Sequence, residues 1–276
     1  MLISGCSSGI GRCVAKGLSE RGYPVIATAR KSGDVEALRA EGFTSTQLDL
    51  DNSASIETAV DWTLEQTNGR LYGLFNNGAY AQPGAVEDLS REVLRRQFET
   101  NLFGTHELTR RVLPVMRRLG QGRIIQNSSV LGFAALAFRG AYNASKFALE
   151  GLADTLRLEL VGTGIHISLI EPGPVESRFR ANAYAAFKRN IDADNSPFRE
   201  TYTAVEQRLA SEGAVVPFTV PPEAVLRRVV HALESRRPRV RYPVTLPTYF
   251  FAFAKRLFTH RALDRLLQYA GGYRRR

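Results

Sequence analysis

Tyr142 and Lys146 stand four residues apart in a stretch of helical period, which puts a phenol and an ammonium on one helix face. A neighbouring ammonium favours the phenolate, so Tyr142 is expected to titrate below the ordinary tyrosine value of about 10. Such a phenol can give a proton to a carbonyl being reduced, or take one from an alcohol. The chain has only five lysines against 32 arginines, which disfavours a chance match at this spacing. Upstream, Asn127-Ser128-Ser129 offers a hydroxyl to a substrate oxygen, with Ser129 thirteen residues before Tyr142. Position alone leaves Ser128 and Ser129 as rivals for that role.

A second chemical signal opens the chain. The run Ser4-Gly5-Cys6-Ser7-Ser8-Gly9-Ile10-Gly11 follows a short apolar segment and leads into Ile10, Val14 and Leu18 at helical spacing. Glycines at a strand-to-helix turn let the backbone approach a pyrophosphate, whose charge is met by N–H groups and the positive helix end. The bland alternative is a glycine-rich turn with no ligand, and the strand before and helix after favour nucleotide binding over it. At the end of the second strand an acid would accept from the ribose 2′-hydroxyl of NAD. This chain has Ala29-Arg30-Lys31 there and no acid before Asp34. Arg30 and Lys31, with Arg12 as a third cation, suit a 2′-phosphate, so NADP is expected rather than NAD.

These residues need a frame that brings strand ends together. Short apolar segments at 1–4, 24–29, 44–48, 71–75, 123–127, 165–170 and 239–244 alternate with helical stretches at 34–40, 53–67, 91–119, 141–160 and 223–235. That rhythm predicts an α/β fold, a doubly wound parallel sheet of about seven strands in a single domain. Residues 176–222 follow the sixth strand, are polar and irregular, and carry Phe179, Tyr184, Phe187, Phe198 and Tyr202. An insertion at that end of the sheet reads as a lid over the ligand crevice. The frame is expected to span residues 1–245, with 246–276 as a basic amphipathic extension.

In that order and at those strand ends, the residues resemble the short-chain dehydrogenases/reductases over almost the whole chain. Ser4-Gly5-x-x-x-Gly9-Ile10-Gly11 resembles the family's cofactor loop, with Ser in place of Thr. The resemblance implies an adenine contact at Asp49, and cofactor contacts along Asn76-Asn77-Gly78-Ala79, where the family's Ala-Gly order is reversed. It implies a catalytic set of Asn101, Ser129, Tyr142 and Lys146, the spacing of thirteen selecting Ser129 over Ser128. Pro172-Gly173-Pro174-Val175 would then lie along the nicotinamide, with Ser177 where threonine is usual. The implied cofactor residues are Gly5, Ser7, Ser8, Gly9, Ile10, Gly11, Arg30, Lys31, Asp49, Asn76, Gly78, Tyr142, Lys146, Pro172, Gly173, Val175 and Ser177. In the implied reaction hydride passes between nicotinamide and carbonyl carbon, Tyr142 transfers the proton and Ser129 polarises the carbonyl. Lys146 holds the ribose and Asn101 an ordered water. The short lead into Gly5 leaves either a short first strand or a native start upstream of Met1. Homodimers or homotetramers are implied through the helices near 91–119 and 141–160.

Composition narrows the field from the other side. The 276 residues are 44% apolar and include two cysteines, which excludes a disordered chain and a disulfide-stapled one. Cys6 and Cys13, with no basic leader, fit a reducing cytoplasm. The least charged apolar run, 242–254, contains Pro243 and Pro247 and cannot span a bilayer. His106, His166, His231 and His260 lack ligand spacing, so no metal is expected. Residues 227–276 hold thirteen Lys or Arg and two Asp or Glu, so the net charge of +10 sits in the C-terminal fifth. Nucleic acid is disfavoured as a partner, because no binding motif appears in the near-neutral body.

In the tail, Phe250, Phe253 and Leu257, then Leu263, Leu266, Leu267 and Ala270, fall at helical spacing among Lys255, Arg256, Arg261 and Arg265. Such a helix either covers the protein's own flank or rests on an anionic membrane surface. The segment from Phe133 to Phe138 and the aromatics of the lid point to an apolar pocket for a lipophilic aldehyde, ketone or alcohol. The resemblance runs most closely to bacterial NADP-dependent aldehyde reductases related to hydroxysteroid and retinol dehydrogenases. The alternatives are a membrane-associated steroid or retinoid dehydrogenase, and a non-catalytic NADP-binding regulatory protein.

Overall fold

Adjacent strand residues in this chain are both apolar because both sheet faces are covered. Leu2, Leu74 and Ile124 pack into one buried cluster and their neighbours Ile3, Phe75 and Ile125 into another. A computed structural model describes residues 1–211 and 217–271. Its strands are β1 (Leu2–Ile3), β2 (Ile26–Ala29), β3 (Thr44–Gln47), β4 (Gly73–Asn76), β5 (Gly122–Asn127), β6 (Ile165–Glu171) and β7 (Arg241–Pro243). They form one seven-stranded sheet in the order β3-β2-β1-β4-β5-β6-β7, parallel at every pairing. The sheet is doubly wound, and the order reverses between β1 and β4, which opens a crevice at their carboxyl ends. β1 is short, yet it pairs with β2 on one side and β4 on the other.

Helices α1 (Gly9–Ser19), α2 (Ser32–Ala40) and α3 (Ser53–Gln66) follow the first three strands, α4 (Arg91–Phe98) and α5 (Thr105–Leu119) both follow β4, and α6 (Gly140–Glu159) follows β5. α3 and α5 bury Ile56, Val60, Leu108, Val112 and Met116 on one face of the sheet. α1 and the later α9 (Glu223–Glu234) bury Val14, Leu18, Val225 and Val229 on the other. The helical stretch expected at 91–119 is there, but Glu99–Gly104 is wound as a π-helix between α4 and α5. Gly104 lies against the backbone of Leu50, where a side chain would collide with the Leu50 carbonyl. Asn101 sits inside this widened turn.

Two regions differ from expectation. The stretch read as irregular contains α7 (Phe179–Asn190) and α8 (Arg199–Ala210), with residues 212–216 of the expected lid lying outside the described residues. These helices share a small core of Phe187, Ile191, Tyr202 and Val205 with Ala85. Phe187, Phe198 and Tyr202 are therefore core residues of the lid. The Tyr202 hydroxyl donates to Asp88 and accepts from the Ala85 N–H at 2.8 Å, which anchors the lid to the segment after β4. The tail forms two helices, α10 (Leu246–Leu257) and α11 (His260–Gly271), broken at Phe258, where the backbone is extended. The tail residues 272–276 lie outside the described residues.

Candidate active site

The turn from β1 to α1 is held open by its neighbours. Ser4 Oγ accepts from the backbone N–H groups of Asn77 and Gly78, each at 2.9 Å. Asn77 Nδ2 donates to the carbonyls of Ser4 and Gly5 at 3.0 Å, and Cys6 N–H donates to Thr28 O at 2.7 Å. Gly5 and Gly9 take φ of +73° and +56°, a region that L side chains enter only with strain. A Cβ on Gly9 would also lie 2.8 Å from Ser177 Cβ, across the entrance to the turn. No side chain caps α1 and no acid occupies its first turn, so its N-terminal N–H groups and dipole face an anion unopposed. The turn fits a dinucleotide pyrophosphate.

Arg30 and Lys31 are exposed beside Asp49 in a shallow depression that also includes Ser32, Gly33, Asp34 and Gln47. Neither cation has an ion-pair partner among the described residues. Arg12 differs, because its guanidinium pairs with Glu41 and also donates to Ser7 O at 3.2 Å. It is not the free third cation that the sequence suggests.

A cavity of about 1420 Å³ begins at Gly5, Ser7, Ser8, Gly9 and Ile10 and runs past Asn77 and Gly78 to Ser129, Tyr142 and Lys146. Pro172, Gly173, Val175 and Ser177 form its opposite wall. Gly11, Asn76 and Asn101 stand behind the wall. Asn76 Nδ2 donates to Thr109 Oγ1 at 2.8 Å, and Asn77 takes the place facing the cavity. Gly78 and Ala79 both avoid positive φ, so the reversed order at these positions needs no special backbone. Gly78 is needed for close packing, since a Cβ there would lie 2.9 Å from Leu50 Cδ1.

Ser129 and Tyr142 meet at the floor of this cavity. The Ser129 hydroxyl accepts from Leu131 N–H at 3.1 Å and donates to Pro172 O at 3.5 Å, and it is near enough to the Tyr142 phenol to favour its ionised form. Ser128 Oγ lies beside Gly132, and both serines line the cavity. Asn101 is tied to the same helix. Its Nδ2 donates to Ser145 Oγ at 3.1 Å, and Ser145 Oγ donates to the Tyr142 carbonyl at 2.9 Å.

The electrostatics depart from the sequence-based expectation for Tyr142. Burial pushes its phenol up to about 12, against smaller opposing effects of the Ser129 hydroxyl and the Arg139 charge. Lys146 lies 5.7 Å from the Tyr142 ring centroid and donates to Asn127 O at 2.6 Å. Its ammonium is directed at that carbonyl, and burial pushes its own value down to about 8. Tyr142 is thus held as a neutral phenol, the form that donates a proton.

Behind the cavity wall is a charged cluster that the sequence does not announce. Arg241 binds Glu150 at 3.0 Å, Asp154 at 2.7 Å and Glu171 at 3.1 Å. Glu150 lies one turn beyond Lys146, and Glu171 immediately precedes Pro172-Gly173, so the cluster braces both sides of the site. Burial, then the Glu150 charge, raises the Glu171 carboxyl to about 7.

The outer walls are apolar and come from three segments. Leu136 and Phe138 follow β5, and Phe179 opens the lid with its ring edge-on to Tyr142 at 5.4 Å. Leu246, Tyr249, Phe250, Leu266 and Tyr269 come from α10 and α11. The tail therefore lines the cavity. Its apolar spacing was visible in the sequence, but only the turn after β7 shows where that face lies.

The family model for short chain dehydrogenase matches residues 1–187. An oxidoreductase of Escherichia coli (strain K12), named as uncharacterized and called YbbO, is 42% identical over 97% of this chain and 93% of its own. Retinol dehydrogenase 8 of Homo sapiens is 35% identical over 87% of this chain and 79% of its own. The structure of an actinorhodin polyketide ketoreductase with NADPH superimposes with a TM-score of 0.71 at 28% identity, covering 88% of this chain and 94% of that one. With its parallel sheet and glycine turn, the chain belongs to the short-chain dehydrogenase family and is an oxidoreductase that uses a nicotinamide dinucleotide.

Proposed function

We propose that the chain is an NADP(H)-dependent carbonyl reductase, or the alcohol dehydrogenase of the reverse direction, acting on apolar aldehydes, ketones or alcohols. The observation that carries this reading is the Ser129–Tyr142 hydroxyl pair at the floor of a cavity walled by Leu136, Phe138, Phe179 and Phe250. When bound, the nicotinamide supplies or accepts the hydride. Tyr142, held neutral by burial, donates its proton to the substrate oxygen as negative charge develops there. Ser129 donates a hydrogen bond to the same oxygen and holds it beside the phenol. Lys146, anchored on Asn127 O, holds the nicotinamide ribose and its positive charge stabilises the developing tyrosinate. Asn101 keeps α6 in register through Ser145 and holds the water that returns the proton.

Arg30 and Lys31 support NADP over NAD, since two cations without ion-pair partners among the described residues directly follow β2, where a 2′-phosphate would lie and where an NAD enzyme would carry an acid. Asp49 takes the adenine edge. The similarity to retinol dehydrogenase 8 and the absence of a predominantly polar wall both support a lipophilic substrate. A homodimer or homotetramer is supported by Phe103, Phe147, Leu152 and Leu158, which the π-turn before α5 and helix α6 leave exposed. The chain works at the cytoplasmic side in this reading, its free thiols suiting a reducing compartment.

The test is loss of NADPH absorbance across aliphatic, aromatic and terpenoid aldehydes and steroid ketones, with wild type and Tyr142→Phe. The variant is expected to lose about a hundred- to ten-thousand-fold in kcat with NADPH binding retained. A Tyr142→Phe enzyme as fast as wild type on any of these carbonyls would falsify the mechanism.

A further inference from the structure

We infer that the face built by α10 and α11 docks on an anionic lipid bilayer, and that the cavity takes up its substrate through that face. The loading step rests on the reading of an apolar substrate, whereas the docking step stands without it. Phe253, Leu257, Phe258 and Tyr269 are between 47% and 77% exposed, which is unusual for large apolar side chains gathered on one pair of helices. Arg256, Arg261 and Arg265 are exposed among them, and Asp264 is the one exposed acid of the two helices. Aromatic and aliphatic side chains with arginines at the edges are the pattern of helices that lie in the plane of a membrane interface. Among the described residues no helix is long and apolar enough to cross a membrane, so the contact is peripheral.

The same helices form the cavity mouth. Leu246, Tyr249, Phe250 and Tyr269 are exposed and also line the cavity. An apolar molecule leaving the acyl region would pass along them to Phe179 and Tyr142 without crossing water. α10 is fixed to the body at its start by buried Thr245 and Thr248, which pack against Gly173, and by Arg228, which donates to the Tyr249 hydroxyl at 3.2 Å, and at its end by Lys255 over the Phe147 ring at 5.3 Å. Docking this face therefore sets the direction of the mouth.

Charge selects the occupant. A second copy packed on this face would bring one set of arginines against another, whereas an anionic surface neutralises them. Each basic residue held at such a surface strengthens partitioning about fivefold.

The experiment is sedimentation of the full chain with phosphatidylcholine vesicles, with and without phosphatidylglycerol. Binding is expected only with phosphatidylglycerol, and high salt should weaken it. Arg256→Glu/Arg261→Glu/Arg265→Glu should weaken it by about a hundredfold or more, and Phe253→Ser/Leu257→Ser should also release the protein. None of these five residues lines the cavity, so reduction of a short water-soluble aldehyde should be unchanged. Reduction of a long-chain aldehyde embedded in the vesicles should fall with binding. Equal binding to both vesicles, or none, overturns the docking. Self-association that Phe253→Ser/Leu257→Ser abolishes, with no vesicle binding, assigns the face to a second copy and overturns it too. Rates on the embedded aldehyde that ignore binding overturn the loading step. Vesicle binding without reduction of any carbonyl sustains the docking and refutes the reductase reading alone.

Discussion

Replacing Arg241 with glutamine leaves Glu150, Glu171 and Asp154 without the guanidinium that binds them at 3.0, 3.1 and 2.7 Å. Glu150 and Glu171 have side chains 9% and 3% exposed, but the Arg241 side chain is 38% exposed, so water already screens part of the attraction. The loss therefore belongs at the low end of what breaking a buried pair costs, about 3 kcal/mol when the carboxyls are ionised. The pH dependence follows from Glu171, which titrates at about 7 in the folded protein against an ordinary 4.5. Between those values the folded state holds a proton that the unfolded chain has released. The contribution of Glu171 to stability is thus most favourable below 4.5 and falls as pH rises through 7, by about 1.4 kcal/mol per pH unit. Without Arg241 the Glu171 carboxyl titrates higher still, and the falling stretch extends further up. Near pH 5 Glu171 is already protonated in the folded state, and the guanidinium has less charge to neutralise. Urea unfolding of Arg241→Gln should show a loss of about 1 kcal/mol near pH 5 and about 3 kcal/mol near pH 8. Equal losses at the two values, or a variant more stable than wild type near pH 8, would refute the reasoning.

Arg30→Ala/Lys31→Ala should raise the KM for NADPH by about ten- to a hundredfold and leave that for NADH unchanged, because the two exposed cations address only the 2′-phosphate. Equal changes for both nucleotides would remove the basis for NADP. Lys146 is held down at about 8 by burial, so kcat/KM for reduction should decline as pH rises above that value. The nearby Glu150 charge opposes the effect of burial, and Glu150→Gln should move the decline to lower pH. A profile that Glu150→Gln leaves in place would show that another group governs it. Gly9→Ala, at φ +56° with its new methyl 2.8 Å from Ser177 Cβ, should weaken NADPH binding about tenfold, measured by nucleotide fluorescence. Wild-type affinity in that variant would mean that the turn has another use.

Much of the site was legible because its parts sit at strand ends, where sequence period and chemistry coincide. The glycine turn, the cations after β2 and the Tyr142–Lys146 pair are each local patterns; the sheet brings the turn and the pair to one cavity and leaves the cations in a separate depression at the end of β2. Ser129 is told from Ser128 by resemblance, since both serines line the cavity. Spacing could not show the direction of a charge. Tyr142 and Lys146 share a face, but Lys146 reaches the Asn127 carbonyl, and burial dominates the phenol. The two lid helices escaped detection because alanines, Ala183 and Ala186, carry much of the buried face of α7 and give a weak hydrophobic period. The Arg241 cluster joins α6, β6 and β7 across 91 residues of chain, and no local pattern encodes that meeting.

The cations of the tail and the apolar cavity find one explanation in the placement of α10 and α11. A flank cover would bury Phe253 and Leu257 and turn the arginines outward, yet these apolar side chains are 63% and 62% exposed. A tail meant only to close the cavity would need Tyr249, Phe250 and Tyr269 on its inner side and polar residues elsewhere. The apolar residues in fact continue from the cavity wall onto the outer surface, and cations border them. At about 25 cal/mol per Å² of apolar area, leaving that surface in water is a standing cost that an interface of the right chemistry removes. The excess of positive charge lies in the last fifty residues, while the body that holds Tyr142 stays near neutral. An attraction confined to one end orients the molecule as well as binding it, and the end it presents is the one where the cavity opens.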